Sequence, residues 1–264
     1  MKYLKLFQTE SEYNSFKDSS DFVLPNVSHI KEFAGLPHND SKRPVMFNKK
    51  PIKPASSYVA VDLGLPSGRL WADRNVGAES PDDVGLYFQW GDTTGYTLEQ
   101  YKNNEKKFDW TTYWDSIDGS STNFTKYPYT YNKKIILPED DAAVVIMGGS
   151  WRMPSEEDFE ELINNTTSVF VTDSGKEVSY SFSNDIMYLK LTSKINGNNL
   201  IIPAGGQIAS YGIDSYKKLT KLWVNNTSAN YPDNGVSFSV DNMHNMQAGN
   251  SKKSIGMPIR GVCN

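Results

Sequence analysis

From residue 58 onward the chain alternates short apolar runs with long polar loops, a rhythm of strands rather than of long helices. YVAVDLGL reads as a strand entering a Pro66-Ser67-Gly68 turn, and RLWA resumes it in a hairpin-like pattern. Further strands are predicted at about residues 168–172, 177–183, 187–192, 200–203, 222–224, 236–240 and 257–262. Three stretches carry helix-start chemistry. Glu79-Ser80-Pro81-Asp82-Asp83 places a proline among acids, and Pro138-Glu139-Asp140-Asp141 does so again before Ala142 and Ala143. The strongest follows Trp151-Arg152-Met153-Pro154. Ser155 is a natural N-cap there, Glu156, Glu157 and Asp158 complement the positive helix end, and Phe159, Leu162 and Ile163 share one face. Two or three early helices followed by many short antiparallel strands and long loops predict an α+β domain. No internal repeat is visible.

The first 45 residues follow a different pattern. Thr9 and Glu12 match capping-box spacing, with Tyr13 and Phe16 forming one apolar edge of a short helix through about Asp18. Strands are predicted before it, around Tyr3 to Phe7, and after it, from Phe22. Such a unit is too small to enclose its own apolar residues, so self-association or docking on another protein is expected to cover them. Between residues 37 and 57 the composition turns to Pro, Lys, Ser and Asn, as in an extended connector. The expected organisation is an N-terminal segment at 1–45, a linker at 46–57 and a main domain at 58–264. Closed symmetry makes a dimer the commonest homo-oligomer, with a trimer next for a fibre.

Composition limits what this main domain can be. Hydrophobic residues make up 38% of the chain, below the roughly 45–50% of an average globular sequence. Fifteen Tyr, twelve Phe and six Trp offset that lean core with large rings. The 27 basic against 31 acidic residues leave a net charge of -4, so bulk electrostatics give no attraction for nucleic acid. Cys263 is the sole cysteine, which allows neither an internal disulfide nor a cysteine-based zinc site. The opening MKYLKLFQTESE has an apolar stretch broken by Lys5 and Gln8 and no small-residue cleavage site, so it does not read as a signal peptide. No run approaches the ~18 apolar residues of a membrane span, and no membrane insertion is expected.

The segments VDLGLPSGRLWADRNVGAESPDDVGLYFQWGDT, EDDAAVVIMGGSWRMPSEEDFEEL, LIIPAGGQI, LWVNN and GMPIRGVCN occur in this order between Tyr58 and Asn264. Together they resemble the landmarks of the Fibrobacter succinogenes major paralogous domain. That resemblance implies a C-type-lectin-like fold: two helices, a small twisted antiparallel sheet and a long loop region that presents the binding surface. It is similar in architecture to the formylglycine-generating sulfatase-modifying domain and to the variable proteins of diversity-generating retroelements. The N-terminal YLKLFQTESEYNSFKDSSDFVLPNVSHI resembles the leading segment of virion proteins from Bacteroides-infecting, crAss-like phages.

Little in the chain suggests catalysis. Ser67 and Ser150 each neighbour a glycine without completing a nucleophile elbow, and His29, His38 and His244 are scattered. Acidic pairs such as Asp82 with Asp83 and Glu139 with Asp140 are explained by helix starts. The oxidase chemistry of the formylglycine-generating fold uses two cysteines and a metal, which Cys263 alone cannot supply. Asp115, Asp118 and Gly119 only echo a calcium loop, and no metal or cofactor is predicted. The Asn-x-Ser/Thr triplets at Asn26, Asn123 and Asn226 read as chance.

Two polar, ring-bearing stretches are candidates for ligand binding. Trp110, Tyr113 and Trp114 sit in the insertion KKFDWTTYWDSIDGSSTNFTKYPYTY. A flat ring among Asp, Asn and Thr suits the apolar face and hydroxyls of a sugar, while packing of the loop on its own scaffold would use the same residues. The second stretch comprises Trp223, Asn225, Asn226, Tyr231, Asp233, Asp241 and Asn242, with His244 and Asn245 alongside. Its position resembles the ligand-facing region of lectin-like folds, although asparagine's tolerance of left-handed turns explains the enrichment too. Trp71, Trp90 and Trp151, inside the landmarks, are expected in the core.

These readings lead to one expectation and an alternative. The first is a non-enzymatic phage virion protein, a head or tail fibre or capsid decoration component. It would be made in the host cytoplasm, attach to other virion proteins through residues 1–45, and display its lectin-like domain toward a host surface glycan. The alternative is a bacterial cell-surface carbohydrate-binding or adhesion module.

Overall fold

The computed structural model describes residues 58–179, 185–240 and 246–264. The expected helix and strands of residues 1–45, the linker 46–57, and Asp241, Asn242, His244 and Asn245 lie outside the described residues. The architecture of the described residues is α+β, with few helices and four small antiparallel sheets.

The first sheet has the order β1-β2-β12, built from β1 (Ala60–Asp62), β2 (Leu70–Asn75) and β12 (Arg260–Cys263). β1 and β2 form the predicted hairpin, with Val61 opposite Trp71, and β12 lies along β2 with Val262 opposite Trp71. The first and last described strands thus flank β2 in one sheet. A second sheet, β4-β3-β5-β6, uses β3 (Thr166–Thr172), β4 (Glu177–Val178), β5 (Ile186–Ser193) and β6 (Asn199–Pro203). The two-stranded hairpin of β7 (Gln207–Ala209) and β8 (Gly212–Asp214) follows. The last sheet, β11-β10-β9, contains β9 (Thr220–Thr227), β10 (Asn234–Val240) and β11 (Met246–Lys252).

Three strands separate two apolar compartments. Successive side chains on a strand point to opposite faces. On β2, Trp71 enters one compartment while Leu70 and Ala72 enter the other; on β9, Leu222 and Val224 flank Trp223 in the same alternating way; on β12, Val262 and Cys263 divide likewise. Trp71 shares its compartment with Phe159, Leu189, Ile202 and Phe238, and Phe159 stacks on Phe238 at 4.2 Å. Trp90 and Trp151 occupy the second compartment with Met147, Met153 and Met257. All three landmark tryptophans are therefore core residues, as the pattern predicts.

Two α-helices are present among the described residues: α1 (Leu98–Lys102), absent from the sequence reading, and α2 (Glu156–Asn165). α2 begins where predicted. Ser155 Oγ accepts from Asp158 N, and the Asp158 carboxylate accepts in return from Ser155 N. Phe159 and Leu162 are buried, and Ile163 packs at the edge of the same compartment. Asp158 also ties the landmarks together, since Arg69 reaches it at 2.9 Å and Arg152 at 2.7 Å. The backbone of Arg152 in turn bridges to Val262. Burial works against the charge of Asp158, but hydrogen bonds from Arg152 and Ser155 and the two guanidinium charges hold its pKa below the ordinary carboxylate value.

The other two predicted helix starts turn out differently. Residues 79–83 form turns, not a helix: Asp83 spends its carboxylate on the backbone N–H groups of Glu79 and Gly85, closing its own loop. The Pro138 start yields one 3₁₀ turn at Pro138–Asp140, then a single wide turn of π-helix at Ala143–Met147. Asp141, between the two, accepts from Ala143 N at the start of the π turn and from Met153 N just before α2, tying those segments together.

Candidate binding surface

The long insertion folds onto Trp90. Residues Trp110–Thr112 form a 3₁₀ turn capped by Asp109, whose side chain accepts from Thr111 N. Beyond that turn, the Tyr113 hydroxyl and the Trp114 indole N–H both donate to Trp90 O, at 3.0 and 2.9 Å. Trp90 closes the arrangement by donating its indole N–H to Val224 O and meeting Tyr127 edge-on at 4.9 Å. Trp110 packs against Tyr113 and Phe124 at 5.4 and 5.7 Å. Gly235 permits this packing because a Cβ there would stand 2.5 Å from the Trp90 ring.

Lys253 joins this insertion to the β9–β10 turn. Its side chain is fully buried, and its ammonium donates to Pro232 O at 2.9 Å and to Tyr127 O at 3.4 Å. The same ammonium lies 4.6 Å from the Phe124 ring centre and 5.8 Å from that of Trp90. Loss of hydration pulls its pKa down to about 8, against the opposing charges of Asp115 and Asp233. Asp115 is itself buried and accepts from Lys126 N and Tyr127 N, so the faint calcium-loop pattern serves a turn. Burial pushes Tyr113 and Tyr127 well above the ordinary phenol value, keeping both as neutral donors.

This geometry redistributes the predicted site residues. Tyr113 is buried and Trp114 and Trp110 are half-buried, so these rings act as a floor under the insertion. Trp223 is fully enclosed and donates its indole N–H to Phe88 O at 2.7 Å, leaving no face for a ligand. Asn226 is buried too, donating to Glu156 at the start of α2, and its Oδ1 has no hydrogen-bond partner. Asn225 is half-buried and engages by its backbone, donating to Pro154 O and accepting from Ile136 N. Asp233 is half-buried, its carbonyl accepting from Lys253 N, whereas Tyr231 stands 55% exposed in the β9–β10 turn. The two stretches therefore meet at Trp90 and Lys253, with most of their predicted contact residues facing inward.

The exposed rings lie one step further along the insertion. Tyr129 and Tyr131 project from it, the latter 70% exposed. Residues 134–136 then pair with β9, as Thr227 N donates to Lys134 O and Ile136 N to Asn225 O. Alternation buries Ile136 and turns Ile135 and Leu137 outward. Tyr129 lies two residues past the Tyr127 carbonyl and Tyr231 directly before the Pro232 carbonyl that Lys253 holds, with Tyr131, Ile135 and Leu137 exposed further along the insertion. Only Tyr231 among them was singled out by sequence; Tyr129 and Tyr131 lie in the KYPYTY tail of the same insertion, two and four residues after the buried Tyr127, where a period-two reading groups all three on one face and hides the exposure of the last two.

Among the described residues no three His, Cys, Asp or Glu side chains gather as a metal-binding set, and no helix is long and apolar enough to cross a membrane. Compared with family models, curated proteins and solved structures, the chain matches none of them.

Proposed function

We propose that the chain is a phage virion structural protein, a head or tail fibre or decoration component, whose residues 58–264 are a C-type-lectin-like domain displayed toward host surface glycan. Residues 1–45 attach it to other virion proteins or to sister chains, and the domain binds without catalysing a reaction. One observation carries this reading. The long insertion is anchored through Trp90, Tyr113, Trp114 and Lys253, yet Tyr129 and Tyr131 along it are exposed, as is Tyr231 in the β9–β10 turn that Lys253 also holds. Aromatic side chains carried on an anchored backbone lose less entropy on stacking against a ligand than those of a free loop, which is the economy a binding surface needs.

The resemblance of the ordered landmarks supports the lectin-like assignment, and their mutual packing fits it. Arg69, Arg152 and Asp158 draw the first and second landmarks together, and the Arg152–Val262 bridge brings in the last. Immunogold labelling of purified virions, paired with binding of the isolated protein to Bacteroides capsular polysaccharide, tests the proposal. Label on the particles with glycan binding is expected. Absence from particles with binding retained would favour the cell-surface adhesion module instead.

A further inference from the structure

The β7–β8 hairpin carries the most exposed aromatic ring among the described residues, on an element separate from the insertion and the β9–β10 turn. Tyr211 is 75% exposed at the hairpin tip. Its hydroxyl is nevertheless held, accepting from Gln207 Nε2 and donating to Asp214 Oδ2, each at 3.4 Å. Gln207 is buried and spans the site: its amide nitrogen also donates to Asp214 at 2.7 Å, and its oxygen accepts from the Lys221 ammonium at 3.0 Å. Ser215 donates to the other Asp214 oxygen at 2.8 Å. The result is an open ring anchored at its hydroxyl end beside a carboxylate and an ammonium.

The hairpin is firmly mounted. Ile208 is fully buried and exchanges two backbone hydrogen bonds with Gly256. At its base Gly206 has φ +56°, and a Cβ there would fall 2.3 Å from Asp214 O, so the two chain segments touch backbone to backbone. Ser215 and Lys217 both take left-handed conformations, at φ +60° and +59°. Neither is glycine, and strain of this kind persists only where the surroundings enforce it. Partial burial raises the Asp214 pKa, but the hydrogen bonds from Ser215 and Gln207 and the charge of Lys221 more than offset this, leaving an ionised acceptor.

We propose that this hairpin is a saccharide subsite that takes a neutral hexose unit bearing vicinal hydroxyls, a role that rests on the glycan-display reading above. The sugar's apolar C–H face would stack on Tyr211 while its hydroxyls donate to Asp214 and accept from Lys221. An ionised carboxylate at this position selects against anionic sugars.

The test measures binding of the full-length chain to purified Bacteroides capsular polysaccharide by biolayer interferometry. Tyr211→Ala is expected to weaken binding about tenfold or more, and Asp214→Asn about as much, while Tyr211→Phe stays within about threefold. Ile195→Ala, an exposed apolar residue elsewhere, should bind as the wild type does. Near-UV circular dichroism and melting temperature should be unchanged in all four variants. Periodate treatment of the probe, which cleaves vicinal diols, should abolish binding; protease treatment should not. Wild-type binding that Tyr211→Ala leaves intact, but that a Tyr131→Ala and Tyr231→Ala double variant removes, would overturn the subsite and keep the display reading. Sensitivity of the probe to protease instead of periodate, or no wild-type binding at all, would overturn both.

Discussion

Lys253 shows how far a residue's surroundings can depart from its type. A lysine in a polar sequence reads as a solvated charge, yet here the ammonium sits among Trp90, Phe124 and two carbonyls. Its pKa falls from 10.5 to about 8 because burial penalises the charged form. Between those values the unfolded chain binds more protons than the folded one, so stability from this group rises with pH through that window. Below about pH 8 both states are protonated and the charging cost is present in full. Urea melts at pH 7, 8 and 9 should therefore show the wild type gaining on a Lys253→Met variant, at up to about 1.4 kcal/mol per pH unit. Above pH 10 the buried tyrosines oppose this trend, since their raised pKa values make the unfolded chain lose protons first. Parallel curves for the two proteins across pH 7 to 9 would contradict a desolvated Lys253. Gly235 permits a second prediction at this scale: Gly235→Ala drives a methyl into Trp90, which its neighbours hold in place, and should cost about 1–3 kcal/mol by the same melts.

Single elements differ in how much of their structure the sequence announces. α2 is legible because its signals agree: a Ser155 cap, three acids in the first turn, and Phe159 and Leu162 at helical spacing over a sheet. β5 and β10 show through apolar alternation for the same reason. β11 does not, because Gln247, Ala248, Asn250 and Lys252 are exposed on an edge strand whose place is set by hydrogen bonds to β10. The Glu79–Asp83 stretch misleads because acids beside a proline suit a turn as well as a helix start, and Asp83 takes the turn. The candidate site was half legible: the two stretches do meet, but Trp110 and Trp223 look alike in sequence, and only the fold distinguishes a half-buried floor from an enclosed strut. Leu162 tests the best-predicted element. Leu162→Ala empties a fully buried position beneath α2 and should cost about 2–5 kcal/mol in a denaturant melt. A loss under about half a kcal/mol would mean the helix does not bury that face.

The whole molecule raises the question of what residues 58–264 need from the rest of the chain. β2 pairs with β1 on one side and β12 on the other, so the beginning and end of the described fold close on each other. Tyr58 joins that closure, its hydroxyl accepting from Gly77 N and its ring lying 5.1 Å under Arg74. Both apolar compartments are walled by described residues, and a chain of about 200 residues can bury roughly 70% of its unfolded surface, enough to stand without help. A fragment of residues 58–264 should therefore melt within a few degrees of the full chain. The apolar residues between Tyr3 and Val27 have a separate task in the proposed function, self-association or attachment to the particle. Light scattering should accordingly find the fragment monomeric and the full chain dimeric or trimeric, and the fragment should not join virions when supplied in place of the full protein. A full-length chain that stays monomeric and soluble would refute self-association and leave docking on a different virion protein as the cover. A fragment that fails to fold would show instead that residues 1–57 contribute to the core, and that the boundary between attachment segment and display domain is wrongly drawn.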